Sequence, residues 1–272
     1  MISSYERIVR YYTEADEDSR LRTGYFQLEY ERTRELLLRH LPPPPATIID
    51  VGGGSGTYAG WLAKQGYQVH LIDPVPKHVE QARATSSRQN DHPLASAEIG
   101  DARHLPQQDG FADALLLLGP LYHLIEKEDR FLCLREAHRV VKRGGRIWGS
   151  AISRFAPVLD SVSHGFFADP TFLEILDRDI EEGQHRNTTN NPLYFTDAFL
   201  HRPEDLRYEF TEAGFQVVEI VGIEGPGWLS AQFDELWNNP RQRDRLVSIA
   251  KKMEHEPSII GASAHIMAIG QK

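Results

Sequence analysis

The sequence predicts an α/β fold in which a seven-stranded, mostly parallel sheet is covered by helices on both faces. Two observations predict it. Short apolar runs alternate with helical segments from residue 46 onward, and the first run ends in a glycine-rich turn, "TIIDVGGGSGTYAGWL". Right-handed crossovers between parallel strands place the intervening helices on both faces of a sheet. We therefore predict a doubly wound sheet.

Seven apolar segments are the predicted strands. Each is short and flanked by turn residues, as strands are. In chain order they read "ATIIDVG", "QVHLID", "SAEIGDA", "DALLLLG", "RIWGSAIS", "QVVEIVGIEG" and "AHIMAIGQK".

Six segments have the periodicity or the capping residues of helices. The first, Leu28 to Leu41, ends at the run Pro42 to Pro45, because proline cannot continue a helix. The second is expected to end at Gly66, and the fourth at Gly144 and Gly145. The other segments read, in chain order, "GTYAGWLAKQG", "PKHVEQARAT", "KEDRFLCLREAHRVVKRGG", "RPEDLRYEFTEAGF" and "DELWNNPRQRDRLVSIAKKM".

Length and pattern divide the chain into one main domain with two additions. We predict a helical N-terminal lid over residues 1–45 and a main domain over residues 46–272. Within the main domain the strand and helix pattern breaks from Arg154 to His201, so residues 154–201 are interpreted as an inserted cap over the substrate.

Composition favours a compact protein that binds small molecules. Hydrophobic residues make up 40% of the 272 residues and charged residues 25%, which is ordinary for a globular chain. The net charge of -9 would repel a polyanion, so nucleic acid is not an expected partner. The basic clusters "HRVVKRGGR" and "RQRDRLVSIAKK" are interpreted as solvated helix faces.

The termini and the single cysteine bear on location. The N-terminus lacks the apolar core of a signal peptide, and the longest apolar stretch, "ALLLLGPL", is too short to span a bilayer. Cys133 has no second cysteine to pair with. We expect a soluble cytoplasmic protein with no membrane partner, present as a monomer or homodimer.

The glycine turn excludes two common nucleotide sites. The dinucleotide pattern GxGxxG, started at Gly52, requires glycine at position 57, where the chain has Thr57. A phosphate loop would need a Lys-Ser or Lys-Thr pair to close the turn, and none is present. The spacing that is present is Asp50-x-Gly52-x-Gly54-x-Gly56.

This spacing resembles the first motif of class I S-adenosylmethionine-dependent methyltransferases, which have a Rossmann-like fold. The resemblance implies that the last strand runs antiparallel at the edge of the sheet. The resemblance runs from about Ala46 to Ser153 and includes three further motifs: "LIDP", "GDARHLP" and "LLLLGPLYHL". It implies S-adenosyl-L-methionine as the cofactor, with Asp73 on the ribose hydroxyls and Asp101 and Ala102 against the adenine.

The expected cofactor-binding residues come from these motifs and from the lid. Leu118 and Gly119 would border the methionine half of the cofactor. In the lid, an arginine suits the methionine carboxylate and an aromatic ring suits a sulfonium. The full set is Asp50, Gly52, Gly53, Gly54, Gly56, Asp73, Pro74, Asp101, Ala102, Arg103, Leu118, Gly119, Arg20 and Tyr11.

The expected catalytic residues are His123 and Tyr122, which follow the fourth strand at the edge where parallel sheets bind ligands. His123 would act as a base or orient the acceptor, and the alternative is that it only packs against the next helix. A base is needed only if the acceptor is protonated. No two histidines lie within five residues of each other, so no metal site is predicted.

The cap and the sixth strand supply aromatic residues suited to a compact, partly polar acceptor. The expected substrate-binding residues are Phe166, Tyr194, Phe195, His201 and Trp228. Other aromatic residues of the lid, including Tyr5, Tyr12, Tyr25 and Phe26, either cover the site or pack on the sheet.

The function that follows is transfer of the methyl group of S-adenosylmethionine to a nitrogen, oxygen or carbon atom of a small molecule. Two alternatives stay open: cyclisation or cleavage of the cofactor without an external acceptor, and cofactor binding by a regulator that does not turn over. The sequence does not name the acceptor.

Overall fold

The computed structural model describes residues 3–89, 91–189 and 191–272, and its centre is a seven-stranded sheet. The sheet order is β3-β2-β1-β4-β5-β9-β8, and a separate two-stranded hairpin pairs β6 with β7. The strands are β1 (Thr47–Val51), β2 (Gln68–Asp73), β3 (Ser96–Ile99), β4 (Ala112–Leu117), β5 (Val141–Ile152), β6 (Gln184–His185), β7 (Ala198–Phe199), β8 (Gln216–Gly222) and β9 (His265–Gln271).

Helices cover both faces of this sheet, which confirms the predicted fold class. In chain order they are α1 (Ser4–Glu14), α2 (Glu17–Arg20), α3 (Phe26–His40), α4 (Thr57–Lys64), α5 (Pro76–Ser87), α6 (Pro120–His123), α7 (Lys127–Val140), α8 (Ala156–His164), α9 (Pro170–Glu182), α10 (Pro203–Glu212), α11 (Phe233–Asn238) and α12 (Pro240–Met253). Among the described residues, none of these helices combines the length and the apolar character that crossing a membrane requires.

Alternating side chains of the strands build two cores. In β1, Ile48 packs with Leu36 of α3 on one face, while Ile49 packs with Phe210 of α10 on the other. All four side chains are fully buried. A strand covered on both faces must be apolar on both, which explains the continuous apolar runs of the sequence.

The position of the last strand differs from the prediction. Strand β9 is antiparallel, as expected, but it lies between β5 and β8 and not at the edge. Its residues Ile266 to Ile269 are completely buried, which suits an interior strand. The edge strand on this side of the sheet is β8, where Gln216 faces solvent, as polar side chains on edge strands do.

Two helix boundaries also differ. Helix α7 ends at Val140 and β5 begins at the next residue, so Gly144 and Gly145 belong to the strand and do not cap the helix. The predicted final helix is two helices, α11 and α12. The Asn239 side chain accepts hydrogen bonds from the first backbone amides of α12, and Pro240 fits the first position of a new helix better than the interior of an old one.

The cap is more regular than the sequence indicated, since it contains α8, α9 and the β6–β7 hairpin. Phe172, Ile175 and Leu176 of α9 pack with Tyr194 in a small core of their own. In the hairpin, His185 pairs with Ala198. The two ends of the cap meet where the Arg154 amide donates to the His201 carbonyl over 2.8 Å. The cap therefore has its own packing beside that of the sheet.

A buried ion pair anchors the end of the cap to the main domain. Arg130 of α7 donates to Glu209 Oε1 of α10 over 2.8 Å, and the guanidinium carbon lies 3.6 Å from the centre of the Phe199 ring. Glu209 Oε2 accepts a hydrogen bond from Nε2 of His201 over 3.1 Å. Arg130 also donates to the Leu124 and Ile125 carbonyls.

Removing Arg130 should therefore destabilise the protein strongly. Breaking a buried pair from one side costs roughly 3–5 kcal/mol, because the remaining charge is left uncompensated. We expect Arg130→Leu to lower the free energy of unfolding in urea by about that amount, and Arg130→Leu with Glu209→Leu to cost less than the sum of the two single changes. Strict additivity of the two substitutions would contradict the pairing.

Candidate functional site

Three adjoining cavities lie at the carboxyl edge of the parallel strands, where open sheets of this kind bind ligands. The covered cavity lies between α1 and the loops after β1, β2 and β3. The polar cavity lies under the glycine turn, and the aromatic cavity lies under the cap. Glu17 lines all three, while Arg20 and Tyr122 line both the polar and the aromatic cavity.

The glycine turn connects the first two strands of the sheet. Gly52 donates its amide to the Ile72 carbonyl over 2.7 Å, and Gly54 donates to Asp73 Oδ2 over 2.9 Å. Gly54 has a φ of +57°, which favours glycine. A Cβ at Gly54 would meet only Glu17 Cγ, 4.0 Å away, so the turn leaves open space above this residue.

Gly52 and Gly53 also line the polar cavity, but Gly56 does not line any of the three cavities as the structure describes them. Gly56 caps α4 with a φ of +87°, and a Cβ there would lie 3.2 Å from the Cβ of Ala82 in α5. We assign Gly56 a packing role at the start of α4, and its predicted contact with a cofactor stays a prediction.

Asp73 lies at the end of β2, on the wall of the covered cavity, as the sequence predicted. Its Oδ1 accepts hydrogen bonds from the Val75 amide (2.9 Å) and from His78 Nδ1 (3.1 Å). Pro74, Asp101, Ala102 and Arg103 line the same cavity. Arg103 is fixed there, since its guanidinium pairs with Asp101 (2.6 Å) and Asp129 (2.9 Å).

Helix α1 covers this cavity and is attached at both ends. Lys77 Nζ donates to the carbonyls of Thr13 and Ala15, each over 2.9 Å. Arg7 forms an ion pair with the buried Asp197 of the cap. These contacts join the lid to α5 and to the cap, so they hold α1 over the loops of the sheet.

His123 lies in the covered cavity and both of its ring nitrogens have partners. Nδ1 donates to the Asp197 carbonyl (3.3 Å), so Nε2 accepts from the Tyr12 hydroxyl (2.8 Å). Burial lowers the pKa of His123 to about 4, so the ring is neutral near pH 7. The described lining of the aromatic cavity does not include it. A base at His123 would thus lie outside that cavity and would not titrate near the ordinary histidine pKa.

The other predicted catalytic residue, Tyr122, lies where the polar and aromatic cavities meet. Its hydroxyl donates to the Leu118 carbonyl over 3.2 Å. Burial raises the pKa of Tyr122, so the phenol stays neutral. Tyr122 therefore lies on a wall that the two cavities share.

Asp50 supplies the polar cavity with a buried carboxylate that is only partly satisfied. The residue is 1% exposed, and Oδ2 has no hydrogen-bond partner among the described residues. Burial, together with the nearby charge of Asp73, raises the pKa of Asp50 to about 7. Such a carboxyl group is stabilised as the anion by a cationic ligand. Leu118 and Gly119 line the same cavity.

Arg20 is held between two carboxylates. Its Nε donates to Glu17 Oε1 over 2.6 Å, and Nη1 donates to Glu29 Oε2 over 2.8 Å. The predicted contact of Arg20 with a ligand carboxylate would have to share the guanidinium with these two acids, and it stays a prediction.

The aromatic cavity brings together rings from the lid, the cap and the segment after β8. Of the predicted substrate-binding residues, Tyr194, Phe195 and Trp228 line it. Tyr11 lines it as well, and its predicted contact with the cofactor stays a prediction. The remaining rings of its wall are those of Tyr25, Phe26, Tyr122, Phe172, His185 and His265.

Two predicted substrate-binding residues do not join this wall. His201 is completely buried, is bonded to Glu209 and is absent from the described lining of the cavity, so its role is to anchor the cap. The side chain of Phe166 lies outside the part of the chain that the structure describes.

Phe195 has a backbone conformation that side chains rarely adopt. Its φ of 64° and ψ of -173° fall in a region that is essentially limited to glycine. The ring lies 5.4 Å from that of Tyr11 and 5.9 Å from that of His123, measured between centroids. Strain of this kind persists where the surroundings determine it, and it is common at ligand sites.

Several polar residues of the cavity walls were not predicted as site residues, among them Glu17, His78, His185 and His265. Each is polar, and none belongs to a local motif that would mark it. His265 is the first residue of β9, and its Nδ1 donates to Glu224 Oε1 over 2.7 Å. His265 is identified as a site residue only by its long-range packing, which the spacing of residues in the sequence does not show.

Glu29, Glu224 and His265 have ligand atoms within 4.8 Å of one another, close enough to surround a metal ion. The spacing of histidines in the sequence did not indicate this cluster. Both carboxylates already accept hydrogen bonds, from Arg20, Ser263 and His265. Because the Arg20 guanidinium also supplies positive charge there, we assign no metal to the cluster.

Known proteins share both the sequence pattern and the fold. The methyltransferase domain family matches residues 49–149. An uncharacterized methyltransferase of Mycobacterium tuberculosis is 26% identical over 181 residues, which are 65% of this chain and 65% of that protein. A ubiquinone/menaquinone biosynthesis C-methyltransferase of Caulobacter is 28% identical over 199 residues, covering 68% of this chain and 73% of that protein.

Solved structures extend the likeness to nearly the whole chain. An S-adenosylmethionine-dependent methyltransferase of Methanosarcina mazei has a TM-score of 0.59 at 17% identity, covering 87% of this chain and 96% of that one. The [4+2]-cyclase SpnF has a TM-score of 0.57 at 17% identity, covering 92% and 84%. At this identity the likeness shows the fold alone.

Residues 49–149 therefore match the methyltransferase domain family, and the fold of the chain is that of S-adenosylmethionine-dependent methyltransferases, as its motifs indicated. S-adenosylmethionine is the cofactor of this class, and two observations fit it. The space above Gly54, which a Cβ would partly fill, leaves room for the cofactor to approach the backbone. The Oδ2 of Asp50, which has no partner among the described residues, suits the cofactor's ammonium group.

If Asp50 faces the ammonium group, cofactor affinity should depend on pH. With a pKa of about 7, roughly a tenth of Asp50 is ionised at pH 6 and half at pH 7, so S-adenosylhomocysteine should bind about fivefold more tightly at pH 7. Calorimetry at the two pH values measures this. In Asp50→Asn the dependence should disappear, and an equal pH dependence in both proteins would contradict the assignment.

Proposed function

We propose that this protein transfers the methyl group of S-adenosylmethionine to a small molecule bound in the aromatic cavity. The observation that carries the proposal is the junction at Tyr122, Arg20 and Glu17. There the polar cavity, under the glycine turn, adjoins the aromatic cavity, under the cap, and these three side chains line both. Two ligands that meet at such a junction are held for reaction with each other.

The cofactor would lie along the edge of the sheet from the covered cavity to the polar cavity. Asp101, Ala102 and Arg103 would border its adenine and Asp73 its ribose, while Asp50 and the turn at Gly52 to Gly54 would hold its methionine half. When bound, the cofactor supplies a methyl group on a positively charged sulfur, which is a good leaving group. The protein then mainly has to position the acceptor and exclude water.

The lid and the cap are suited to exclude water. Helix α1 closes the covered cavity through the contacts of Lys77 and Arg7, and the rings of Tyr11 and Phe195 meet edge to face between lid and cap. Aromatic faces also stabilise a cation such as a sulfonium. We propose that residues 1–45 act as this lid and residues 154–201 as the substrate cap.

A small acceptor is favoured by the shape and the charge of the site. The aromatic cavity is lined mainly by rings with a few polar groups, the usual makeup of a small-molecule pocket. A chain with a net charge of -9 is poorly suited to nucleic acid. The Caulobacter relative is a C-methyltransferase of quinone biosynthesis by name, which is consistent with an aromatic acceptor.

The fold by itself permits another reaction, since the SpnF structure is that of a [4+2]-cyclase. Product analysis separates the possibilities. Incubation with a metabolite extract and cofactor labelled in the methyl group should release S-adenosylhomocysteine together with a labelled product. Methylthioadenosine would instead indicate cleavage of the cofactor, and an unchanged cofactor would indicate a binding protein.

Asp73 should be essential for cofactor affinity. Loss of hydrogen bonds to a charged group costs about 1.5–3 kcal/mol, so Asp73→Ala should weaken S-adenosylhomocysteine binding by roughly ten- to 150-fold. Asp91→Ala, an exposed aspartate after α5, is the matched control and should bind normally. An unchanged dissociation constant in Asp73→Ala would refute the role.

Phe195 should separate acceptor binding from stability. Phe195→Gly relieves the positive φ, so it should be more stable than Phe195→Ala by about 1 kcal/mol or more, the reverse of the usual order. Both changes should reduce kcat/KM for the acceptor and leave cofactor affinity within twofold, because the ring lies in the aromatic cavity. Tyr208→Ala, at an exposed ring of α10, is the control.

Parallel losses of acceptor use and cofactor affinity in both Phe195 variants would place the ring at the cofactor instead. Denaturation in urea and steady-state kinetics with the acceptor found by the labelling screen measure the two effects separately.

A further inference from the structure

His265 lines the aromatic cavity and is oriented by two buried acids. Its Nδ1 donates to Glu224 Oε1 over 2.7 Å and lies 3.8 Å from Glu29 Oε2. The rings of His265 and Tyr122 lie 6.4 Å apart between centroids. This places the imidazole beside the junction at which the proposed cofactor and acceptor would meet.

Both acids are held in place. Glu224 is completely buried, and its Oε2 accepts from the Ser263 hydroxyl (2.7 Å) and from the His265 amide (3.0 Å). Glu29 accepts from Arg20 over 2.8 Å. Because Nδ1 carries the proton donated to Glu224, the neutral ring has its lone pair on Nε2, for which the described residues provide no hydrogen-bond partner.

Other histidines near the acceptor are not free in this way. His185 lines the same cavity but donates from both nitrogens, to Asp179 (2.8 Å) and to the Tyr194 carbonyl (2.6 Å). His123 uses one nitrogen to donate and the other to accept. Of these three rings, His265 is the one with a nitrogen available to a ligand.

We propose that His265 Nε2 is the base that removes the proton of the methyl acceptor, and that the acceptor is an aromatic hydroxyl compound. The proposal rests on the proposed methyl transfer. A base is needed when the nucleophilic atom carries a proton, as a phenol oxygen does. The rings of Tyr25, Phe26, Phe195 and Trp228 form walls suited to a flat aromatic ligand.

The proton and electron count is that of a simple displacement. The acceptor O–H bond breaks, its proton forms the Nε2–H bond of His265, and its electron pair remains on oxygen. An oxygen lone pair forms the bond to the methyl carbon while the carbon–sulfur pair leaves with sulfur. The imidazolium that results is stabilised by Glu224 and Glu29, and it returns its proton to solvent after the reaction.

The charges around His265 support this direction of transfer. Burial and Arg20 of α2 lower its pKa, but Glu29 of α3 and Glu224 after β8 raise it more, so the net effect is a pKa above the ordinary histidine value. Tyr122 of α6 also faces the ring. A base works when it is neutral, so proton uptake from the acceptor should increase as pH rises through this raised pKa.

The experiment uses 4-nitrophenol as the probe, because its anion is yellow and its neutral form is not. It is added to the enzyme saturated with S-adenosylhomocysteine, at one pH unit below the probe's own pKa, where about a tenth of the free probe is ionised. In the wild type the bound probe should be mostly ionised. In His265→Gln the ionised fraction should fall at least fivefold, and in Glu224→Gln it should fall by less.

His255→Gln is the matched control, since His255 is an exposed histidine far from the cavities that also bonds to a glutamate, Glu219. It should behave as the wild type. Should His265→Gln fail to fold, a pH titration of the ¹⁵N shift of His265 in the wild type gives a second measurement, because the pH at which Nε2 becomes protonated must rise when 4-nitrophenol is bound as its anion.

Several results would overturn the inference. They are failure of 4-nitrophenol to bind, a bound probe that stays neutral, ionisation that persists in His265→Gln, and loss of ionisation in Asp160→Asn instead. Loss on treatment with a chelator would show that the cluster holds a metal. Methylation of 4-nitrobenzylamine but not of 4-nitrophenol would replace the hydroxyl class by an amine class.

Failure of the proposed function gives a different pattern. If the wild type ionises the probe through His265 but forms no 4-nitroanisole from S-adenosylmethionine, then methyl transfer fails and the base assignment stands. If His265→Gln forms 4-nitroanisole at the same rate and with the same pH profile as the wild type, then methyl transfer stands and the base assignment fails.

Discussion

The site depends on one partly buried charge, the Arg20 guanidinium, which is held between Glu17 and Glu29. A guanidinium fork in contact with two carboxylates is strongly oriented, and removing it would leave two partly buried acids without their cation. The guanidinium carbon also lies 4.9 Å from the centre of the Phe26 ring. These contacts join α2 of the lid to α3, which packs on the sheet, and so set where the polar and aromatic cavities meet.

The sheet supplies the rest of the site through its direction. The carboxyl ends of β1, β2 and β4 lie side by side, so the glycine turn, Asp73 and Pro120 come together at one edge. A Cβ at Gly52 would lie 2.7 Å from Pro120 Cδ, which shows how closely these loops approach. A reaction that relies on placing two ligands against each other needs such a rigid edge more than it needs many reactive side chains.

The histidines show that identical side chains take different roles in different surroundings. Burial lowers the pKa of His123 and keeps its ring neutral. The ring links the lid to the cap, because it accepts a hydrogen bond from the Tyr12 hydroxyl and donates one to the Asp197 carbonyl. The pKa of His185 is raised by its contact with Asp179, in keeping with its two donated hydrogen bonds. His265 combines oriented acids on one side with a cavity on the other. The chemistry of each ring follows from its partners and not from the residue type.

The sequence by itself determined the features that local chemistry controls. Apolar runs predicted the seven strands. The spacing from Asp50 to Gly56 predicted a turn that is not a dinucleotide or phosphate loop. The second apolar run predicted that Asp73 lies at the end of β2. These residues lie close together in the chain, so their relation is visible in its periodicity and spacing.

Only the tertiary structure decided which distant side chains meet. It placed β9 inside the sheet, brought Tyr11 to the wall of the aromatic cavity, gave His201 a packing role, and brought Glu29 and Glu224 to His265. The acids and the histidine come from α3, from the loop after β8 and from the start of β9. Their contact depends on how every intervening element packs, and long-range packing leaves no periodic signal in the order of the residues.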